Sequence, residues 1–175
     1  MKIFIDPGHG GADPGAVGSS GLTESSVNLD VALRLGELLT ESRQSVKYSK
    51  TTNISMTLAE RARLANEWGA NYFVSIHCNA AENSTAHGTE TFCYRADTTA
   101  ERLAKSVQNN LVSQIGLRDR GVKTANFTVL RLTTMPAILV ELAFISNPEE
   151  ERLLSSNRFR QNCAIGIANG IMAFI

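Results

Sequence analysis

The hydrophobic positions of this chain follow two periods, which predict strands and helices in alternation. Short apolar runs rich in Ile, Val, Phe and Tyr are typical of buried or half-buried strands, and apolar residues three and four apart are typical of amphipathic helices. The predicted strands cover residues 2–6, 46–48, 71–77, 88–94, 127–132 and 137–142. The predicted helices cover residues 24–42, 58–68, 100–115, a segment that starts at 146–148, and 158–175.

This alternation predicts an α/β fold with one domain over residues 1–175. A chain of 175 residues can bury a good core but is too short for two ordinary domains. The strand over 88–94 follows the strand over 71–77 with too few residues for a crossover helix. We therefore expect a mixed sheet between helices, and not an all-parallel one.

Composition and charge narrow the possible partners. Hydrophobic residues make up 43% and charged residues 19%, which indicates a globular and not a disordered chain. Lys plus Arg and Asp plus Glu each number 17, so the zero formal charge argues against nucleic acid or an anionic membrane as partner. No apolar run approaches the ~20 residues of a membrane span, and no signal-peptide core is visible. We expect a monomer.

The three cysteines, Cys78, Cys93 and Cys163, are expected to be small buried hydrophobic residues. Their count is odd and no CxxC spacing occurs, so neither a zinc finger nor a disulfide scaffold is predicted.

Four side chains stand at positions that suggest chemistry. His9 follows the first strand and His77 ends a central strand, while Glu24 starts the helix after a glycine-rich loop. Polar groups at the carboxyl ends of strands lie where open α/β sheets place ligands. Two imidazoles and a carboxylate form a common catalytic zinc set with one position left for water. Glu141, inside an apolar strand, would then be the proton acceptor for that water.

Each of these groups also has a structural interpretation. His9 could bond within its own turn, Glu24 could serve only as an anion at a helix N-terminus, and His77 could be a satisfied core residue. Glu141 is harder to explain in this way, because an ionised carboxylate in an apolar strand is costly unless it is paired. No HExxH-type local signature supports the zinc set.

Two competing motifs are weaker. The glycine-rich loop lacks the Gly-Lys-Ser/Thr ending of a phosphate-binding P-loop and the spacing of a dinucleotide loop. Cys78 lies next to His77, but neighbours on a strand point to opposite faces, so they are not expected to form a nucleophile–base pair.

Several dispersed motifs carry a resemblance to a known family. They are Asp6-Pro7-Gly8-His9-Gly10-Gly11, Gly21-Leu22-Thr23-Glu24 with Asn28, Leu58 and Arg61 with Ala65-Asn66, Ser75-Ile76-His77-Cys78-Asn79-Ala80, Gly88-Thr89-Glu90-Thr91-Phe92, Leu130-Arg131, and residues 136–147. In this order, over nearly the whole chain, they resemble the zinc-dependent N-acetylmuramoyl-L-alanine amidases of the amidase 3 type, which lyse bacterial cell walls.

The resemblance implies a site and a substrate. It implies Zn²⁺ bound by His9, Glu24 and His77, with Glu141 as the catalytic carboxylate. It also implies a mixed, twisted, six-stranded sheet between helices. The substrate would be peptidoglycan, cleaved between N-acetylmuramic acid and L-Ala, so the chain would act at the bacterial cell wall. The export route is not visible in this chain.

Three further residues are candidates for substrate contact. Asn79 and Glu90 belong to the motifs near the proposed edge, and their alternative role is structural support. Arg131 could meet a peptide carboxylate or be an ordinary surface residue. The rival functions are a zinc peptidase that cleaves within the stem peptide, a wall-binding module without catalysis, and a phosphate-binding protein.

Overall fold

The computed structural model describes residues 1–175 and contains six strands and six helices. The strands are β1 (Lys2–Pro7), β2 (Ser45–Tyr48), β3 (Tyr72–Asn79), β4 (Thr89–Cys93), β5 (Asp119–Thr124) and β6 (Ala137–Phe144). The helices are α1 (Glu24–Glu41), α2 (Leu58–Trp68), α3 (Thr99–Ile115), α4 (Thr128–Leu132), α5 (Pro148–Ser155) and α6 (Asn157–Phe174).

All strands belong to one mixed sheet in the order β2-β1-β3-β6-β4-β5. β1, β2, β3 and β6 are mutually parallel, and β4 and β5 are parallel to each other. β4 pairs with β6 in the antiparallel direction. This confirms the predicted α/β fold with a mixed six-stranded sheet.

The helices cover both faces of the sheet with two separate apolar clusters. The larger cluster has 26 buried residues and packs α1, α3 and α6 against one face, with α5 contributing Leu154. The smaller cluster has eight residues and packs α2 and α4 against the other face. All three cysteines are buried and free, as expected. None of the helices combines the length and the apolar character that a bilayer crossing requires.

The strand register places the candidate catalytic side chains in rows on the face of the sheet that α2 and α4 cover. Every second residue of a strand points to the same face, so paired strands present rows of side chains. Across β1, β3 and β6 the rows run Phe4–Phe73–Ala137, then Asp6–Ser75–Leu139, then His77–Glu141, which Glu90 of β4 extends. Toward the carboxyl ends of these strands, the rows change from apolar side chains to buried polar side chains and then to the candidate catalytic residues.

The prediction of a strand over residues 127–132 was wrong. Phe127 precedes the short helix α4, and the backbone amides of Leu130 and Arg131 donate to the Phe127 carbonyl. The segment has a strand-like composition, but its contribution is to place Val129 and Leu130 in the smaller cluster. A single helical turn buries both side chains without a neighbouring strand, so tertiary packing overrides local propensity here.

The strand β5 was missed because its sequence carries little hydrophobic signal. It contains two basic residues, an Asp and a glycine, and no residue of the strand is fully buried. Charged, half-exposed residues are typical of edge strands, where they discourage pairing with other chains. β5 lies at the edge of the sheet next to β4.

We expect Gly170→Ala to destabilise the fold by about 1–3 kcal/mol, because overpacking costs that much where backbones approach closely. A methyl group at Gly170 would lie 2.5 Å from Cα of Val107 in α3. Alanine stabilises a helix by about 1 kcal/mol relative to glycine. The clash must therefore cost more than this gain for the variant to be less stable. Gly166→Ala, with a nearest approach of 2.9 Å, should destabilise less.

The measurement is urea unfolding, with exposed Asn169→Ala of the same helix as the control. A Gly170→Ala variant as stable as the unmodified chain would contradict the close packing of α3 and α6.

Candidate metal centre

Three side chains from distant parts of the chain converge at the carboxyl ends of β1 and β3. His9 follows β1, His77 lies near the end of β3, and Glu24 is the first residue of α1. Glu24 Oε1 lies 3.2 Å from His9 Nε2 and 2.9 Å from His77 Nδ1. One potential ligand atom from each residue lies within 4.8 Å of the other two.

Glu24 is the buried centre of this group, with 4% of its surface exposed. Besides the two imidazoles, Oε1 accepts from the Cys78 backbone amide at 3.1 Å, and Oε2 accepts from the Ala16 amide at 2.9 Å. Burial alone would raise the pKa of Glu24, but the hydrogen bonds with His77 and His9 outweigh it and hold the pKa well below its usual value. The carboxylate is therefore ionised and oriented.

His9 is held in an unusual backbone conformation with its ring fixed on both sides. Its φ of 59° lies in the left-handed region, which costs a non-glycine residue about 1–3 kcal/mol and often marks functional sites. Nδ1 lies 2.8 Å from Asp13 Oδ2, so a proton on Nδ1 leaves Nε2 facing Glu24. The hydrogen bond with Glu24 raises the pKa of His9 to about 9, although burial opposes the shift.

Glu141 lies beside the three donors and has a free carboxylate oxygen. It is the register partner of His77 on the neighbouring strand. Its Oε2 is shielded from solvent and has no hydrogen-bond partner within the protein. Burial raises the pKa of Glu141 to about 7; the charge of His77 opposes this rise, and the charges of Glu24 and Glu90 add to it. A carboxylate oxygen that is shielded from water and has no partner is costly, which indicates a functional role.

A cavity of about 350 Å³ is lined by all four residues, His9, Glu24, His77 and Glu141. Its other walls are mainly apolar, with Leu58 from the start of α2, Phe127 and Val129 from the α4 region, and Leu139 from β6. Leu58 and Phe127 are large apolar side chains that stay 51% and 36% exposed. The site is thus a cleft with a polar floor and an apolar rim.

The three candidate substrate residues lie at different distances from this cleft. Asn79 lines it and donates its side-chain amide to Glu90 Oε1 at 2.6 Å. Glu90 pairs with Glu141 in register and forms ion pairs with Arg120 and Lys123. Arg131 is exposed on α4, bonds to Asn126 Oδ1, and does not line the cleft.

The alternative of a thiol nucleophile gains no support from the geometry. Cys78 Sγ lies 3.6 Å from Asn28 Oδ1 and belongs to the larger apolar cluster on the opposite face of the sheet from His77. Burial raises the pKa of the Cys78 thiol well above its usual value, so the thiolate is disfavoured.

The donor set fits a zinc ion. Two imidazoles and a carboxylate suit Zn²⁺, and three protein ligands are the number found in catalytic zinc sites. Asp13 holds the ring of His9 from behind, which is the usual outer contact of a metal-ligating histidine. A spare, partnerless carboxylate beside such a set is typical of metal-dependent hydrolases.

Comparison with known proteins places the chain in one family of hydrolases. It belongs to the amidase 3 family, described as N-acetylmuramoyl-L-alanine amidase, which it matches over residues 3–173. The resemblance carried by the sequence motifs is confirmed.

Individual relatives agree with this assignment. The chain is 43% identical to the N-acetylmuramoyl-L-alanine amidase CwlM of Bacillus licheniformis, over 98% of this chain and 67% of that protein. It is 40% identical to the amidase LytC of Bacillus subtilis, of which it covers 35%. The crystal structure of N-acetylmuramoyl-L-alanine amidase from Clostridium difficile 630 matches with a TM-score of 0.95 at 38% identity, covering 99% of this chain and 95% of that one.

Sequence reasoning had assigned no role to the groups that support His9. Asp13, Lys50 and the Asp6–Arg61 ion pair all contact the His9 segment. One signal was available, because Asp6 and Arg61 are charged residues in an apolar strand and on the buried side of an amphipathic helix. A buried charge of either sign requires a partner of the other.

We expect Glu141 to make the metal-free protein less stable as pH rises. Its pKa is about 7 when folded and 4.5 when free. Below pH 4.5 both states are protonated, and between these values only the folded chain retains the proton, so the free energy of unfolding falls with rising pH. At about 1.4 kcal/mol per pKa unit the loss is roughly 3 kcal/mol.

Urea unfolding of metal-stripped protein at pH 4 and pH 8 measures this effect. The stability of Glu141→Gln relative to the unmodified chain should increase by that amount between the two pH values. Exposed Glu82→Gln is the control and should show no such change. A relative stability of Glu141→Gln that is independent of pH would contradict the assigned burial.

Proposed function

We propose that this chain is a zinc-dependent N-acetylmuramoyl-L-alanine amidase, with residues 1–175 as its catalytic domain. It hydrolyses the amide between the lactyl group of N-acetylmuramic acid and the L-Ala of the stem peptide, in peptidoglycan at the bacterial cell wall. The observation that carries the proposal is the convergence of His9, Glu24 and His77 beside the partnerless oxygen of Glu141. Membership of the amidase 3 family supports it.

His9 Nε2, His77 Nδ1 and a Glu24 oxygen would hold the ion. Zinc bound there would supply a positive charge that acidifies a water molecule and polarises the scissile carbonyl. The strand ends and the first turn of α1 hold the three donors, and burial of Glu24 keeps competing water away from its carboxylate.

Glu141 carries the proton through the reaction. Its Oε2 accepts a proton from the attacking water, whose oxygen bonds to the carbonyl carbon. As the carbon–nitrogen bond breaks, Glu141 returns the proton to the amine of L-Ala, so the carboxylate is regenerated. A cation held by the three donors would lower the pKa of Glu141 below the value of about 7 in the metal-free chain and so would favour the base form at neutral pH.

The rest of the cleft suits the substrate on either side of the scissile bond. The lactyl group and L-Ala each carry a methyl group, and the apolar rim formed by Leu58, Phe127, Val129 and Leu139 can receive them. Asn79 and Glu90 remain candidates for substrate contact or for support of the neighbouring Glu141. Arg131 remains a candidate for a peptide carboxylate only if the substrate extends beyond the cleft along α4.

Product analysis tests the reaction. We expect the zinc-loaded protein to release peptides with a free L-Ala amino group from purified peptidoglycan and to leave peptide-free glycan. Mass spectrometry of the digests, with and without a chelator and with zinc restored, measures this. Cleavage within the stem peptide would support the rival peptidase, and zinc-independent wall binding without products would support a binding module.

Glu141→Gln should retain zinc and lose activity by about 10²–10⁴-fold, the usual contribution of a general acid/base. The matched variant is His77→Ala, which removes a proposed ligand and should lose both zinc and activity. Zinc content by elemental analysis and product release by chromatography are measured on the same preparations. A near-normal rate for Glu141→Gln would exclude it as the proton carrier.

A further inference from the structure

We infer that Arg61 is a positioning residue for the metal centre, acting through the backbone of His9. The inference rests on the proposed zinc site. Arg61 lies in α2, has 2% of its surface exposed, does not line the cleft, and donates no hydrogen bond to the side chain of any of the three proposed ligands.

The guanidinium group of Arg61 binds the segment that ends in His9 at three points. Nη1 donates to Asp6 Oδ1 at 2.8 Å and to the Pro7 carbonyl at 2.6 Å. Nη2 donates to the His9 carbonyl at 2.7 Å. A planar fork with several fixed donors can satisfy such a set at once, which a lysine ammonium cannot.

The partner carboxylate is itself fully bonded. Asp6 is 1% exposed, and its oxygens also accept from Ser49 Oγ at 2.6 Å and Ser75 Oγ at 2.9 Å. Ser75 is the register partner of Asp6 on β3, two residues before His77. The network therefore ties the His9 segment to the strand that supplies the other imidazole.

The backbone of His9 needs this support because its conformation is unfavourable. At φ 59° the residue lies in the left-handed region, and its carbonyl accepts from both Arg61 and Lys50. Lys50 is 5% exposed and pairs with no carboxylate; it donates only to the carbonyls of His9 and Ile54. Packing alone does not require two buried cations to bond to the His9 carbonyl. We infer that these two bonds hold the turn that directs the His9 ring at Glu24.

Arg61→Lys tests the inference, since it keeps the positive charge beside Asp6 and loses the fork. We expect zinc affinity to fall by about 10–100-fold, the usual effect of losing a residue that orients a metal ligand. The matched control is Arg160→Lys on the opposite face of the sheet. Arg160 likewise bonds to one carboxylate, Asp30, and to two backbone carbonyls, those of Leu154 and Ser155. The control should bind zinc normally.

A double-mutant cycle separates positioning from general destabilisation. If Arg61 acts through His9, Arg61→Lys should change zinc affinity little in a His9→Ala background. If Arg61 only stabilised the fold, Arg61→Lys would lower zinc affinity by the same factor in the unmodified chain and in the His9→Ala background. Competition with a fluorescent zinc chelator gives the affinities, and the visible spectrum of the Co²⁺-substituted protein reports a change in ligand geometry.

Should Arg61→Lys fail to fold, Lys50→Met provides the second test. It preserves volume, removes the other donor to the His9 carbonyl, and should also weaken zinc binding. Zinc affinity within twofold of the unmodified chain in the folded Arg61→Lys or Lys50→Met variant would overturn the inference. Failure of the unmodified chain to bind zinc would instead overturn the proposed function.

Discussion

The buried carboxylate of Glu24 is the group that the site depends on, because it cannot remain ionised without the partners that surround it. Removing a carboxylate from water is costly unless charges or hydrogen bonds compensate. In this chain the compensation comes from two imidazoles, the side-chain amide of Asn28, and two backbone amides, those of Ala16 and Cys78. The same contacts that make burial of Glu24 tolerable bring together three potential metal ligands.

The sheet makes this convergence possible. β1, β3 and β6 are adjacent and parallel, so their carboxyl ends reach the same edge, and period-two register places His77 and Glu141 side by side on one face. α1 begins next to that edge and carries Glu24 in its first residue, where the helix dipole favours an anion. The two glutamates then differ by environment: Glu24 is paired and ionised, while Glu141 is unpaired and has a raised pKa. That difference suits a ligand and a proton carrier, respectively.

Much of this arrangement was predictable from the sequence. Apolar periodicity located five of the six strands and the five longer helices, because each of these elements buries a distinct stripe or face. The positions of His9 and His77 after apolar runs predicted a shared edge, and the carboxylate inside the run of β6 predicted a functional Glu141. The charged edge strand β5 and the single turn of α4 escaped prediction, since neither has a periodic pattern long enough to detect.

The geometry of the site was less accessible. No pattern in the sequence indicates that His9 adopts a left-handed backbone. Burial of Asp6 and Arg61 suggests that each has a partner of opposite charge, but not that they and Lys50 meet beneath His9, because these contacts join residues 41 to 55 positions apart. The bond between Asn79 and Glu90 likewise depends on how β4 folds back against β6. Such features follow from tertiary packing and not from local propensity.

X-ray absorption spectroscopy of the zinc-loaded protein tests the central claim most directly, since it reports the atoms bound to the metal. The account predicts one zinc per chain with only nitrogen and oxygen neighbours at about 2.0–2.2 Å and the outer-shell scattering of two imidazoles. A sulfur neighbour at about 2.3 Å, or a spectrum with no imidazole contribution, would contradict it.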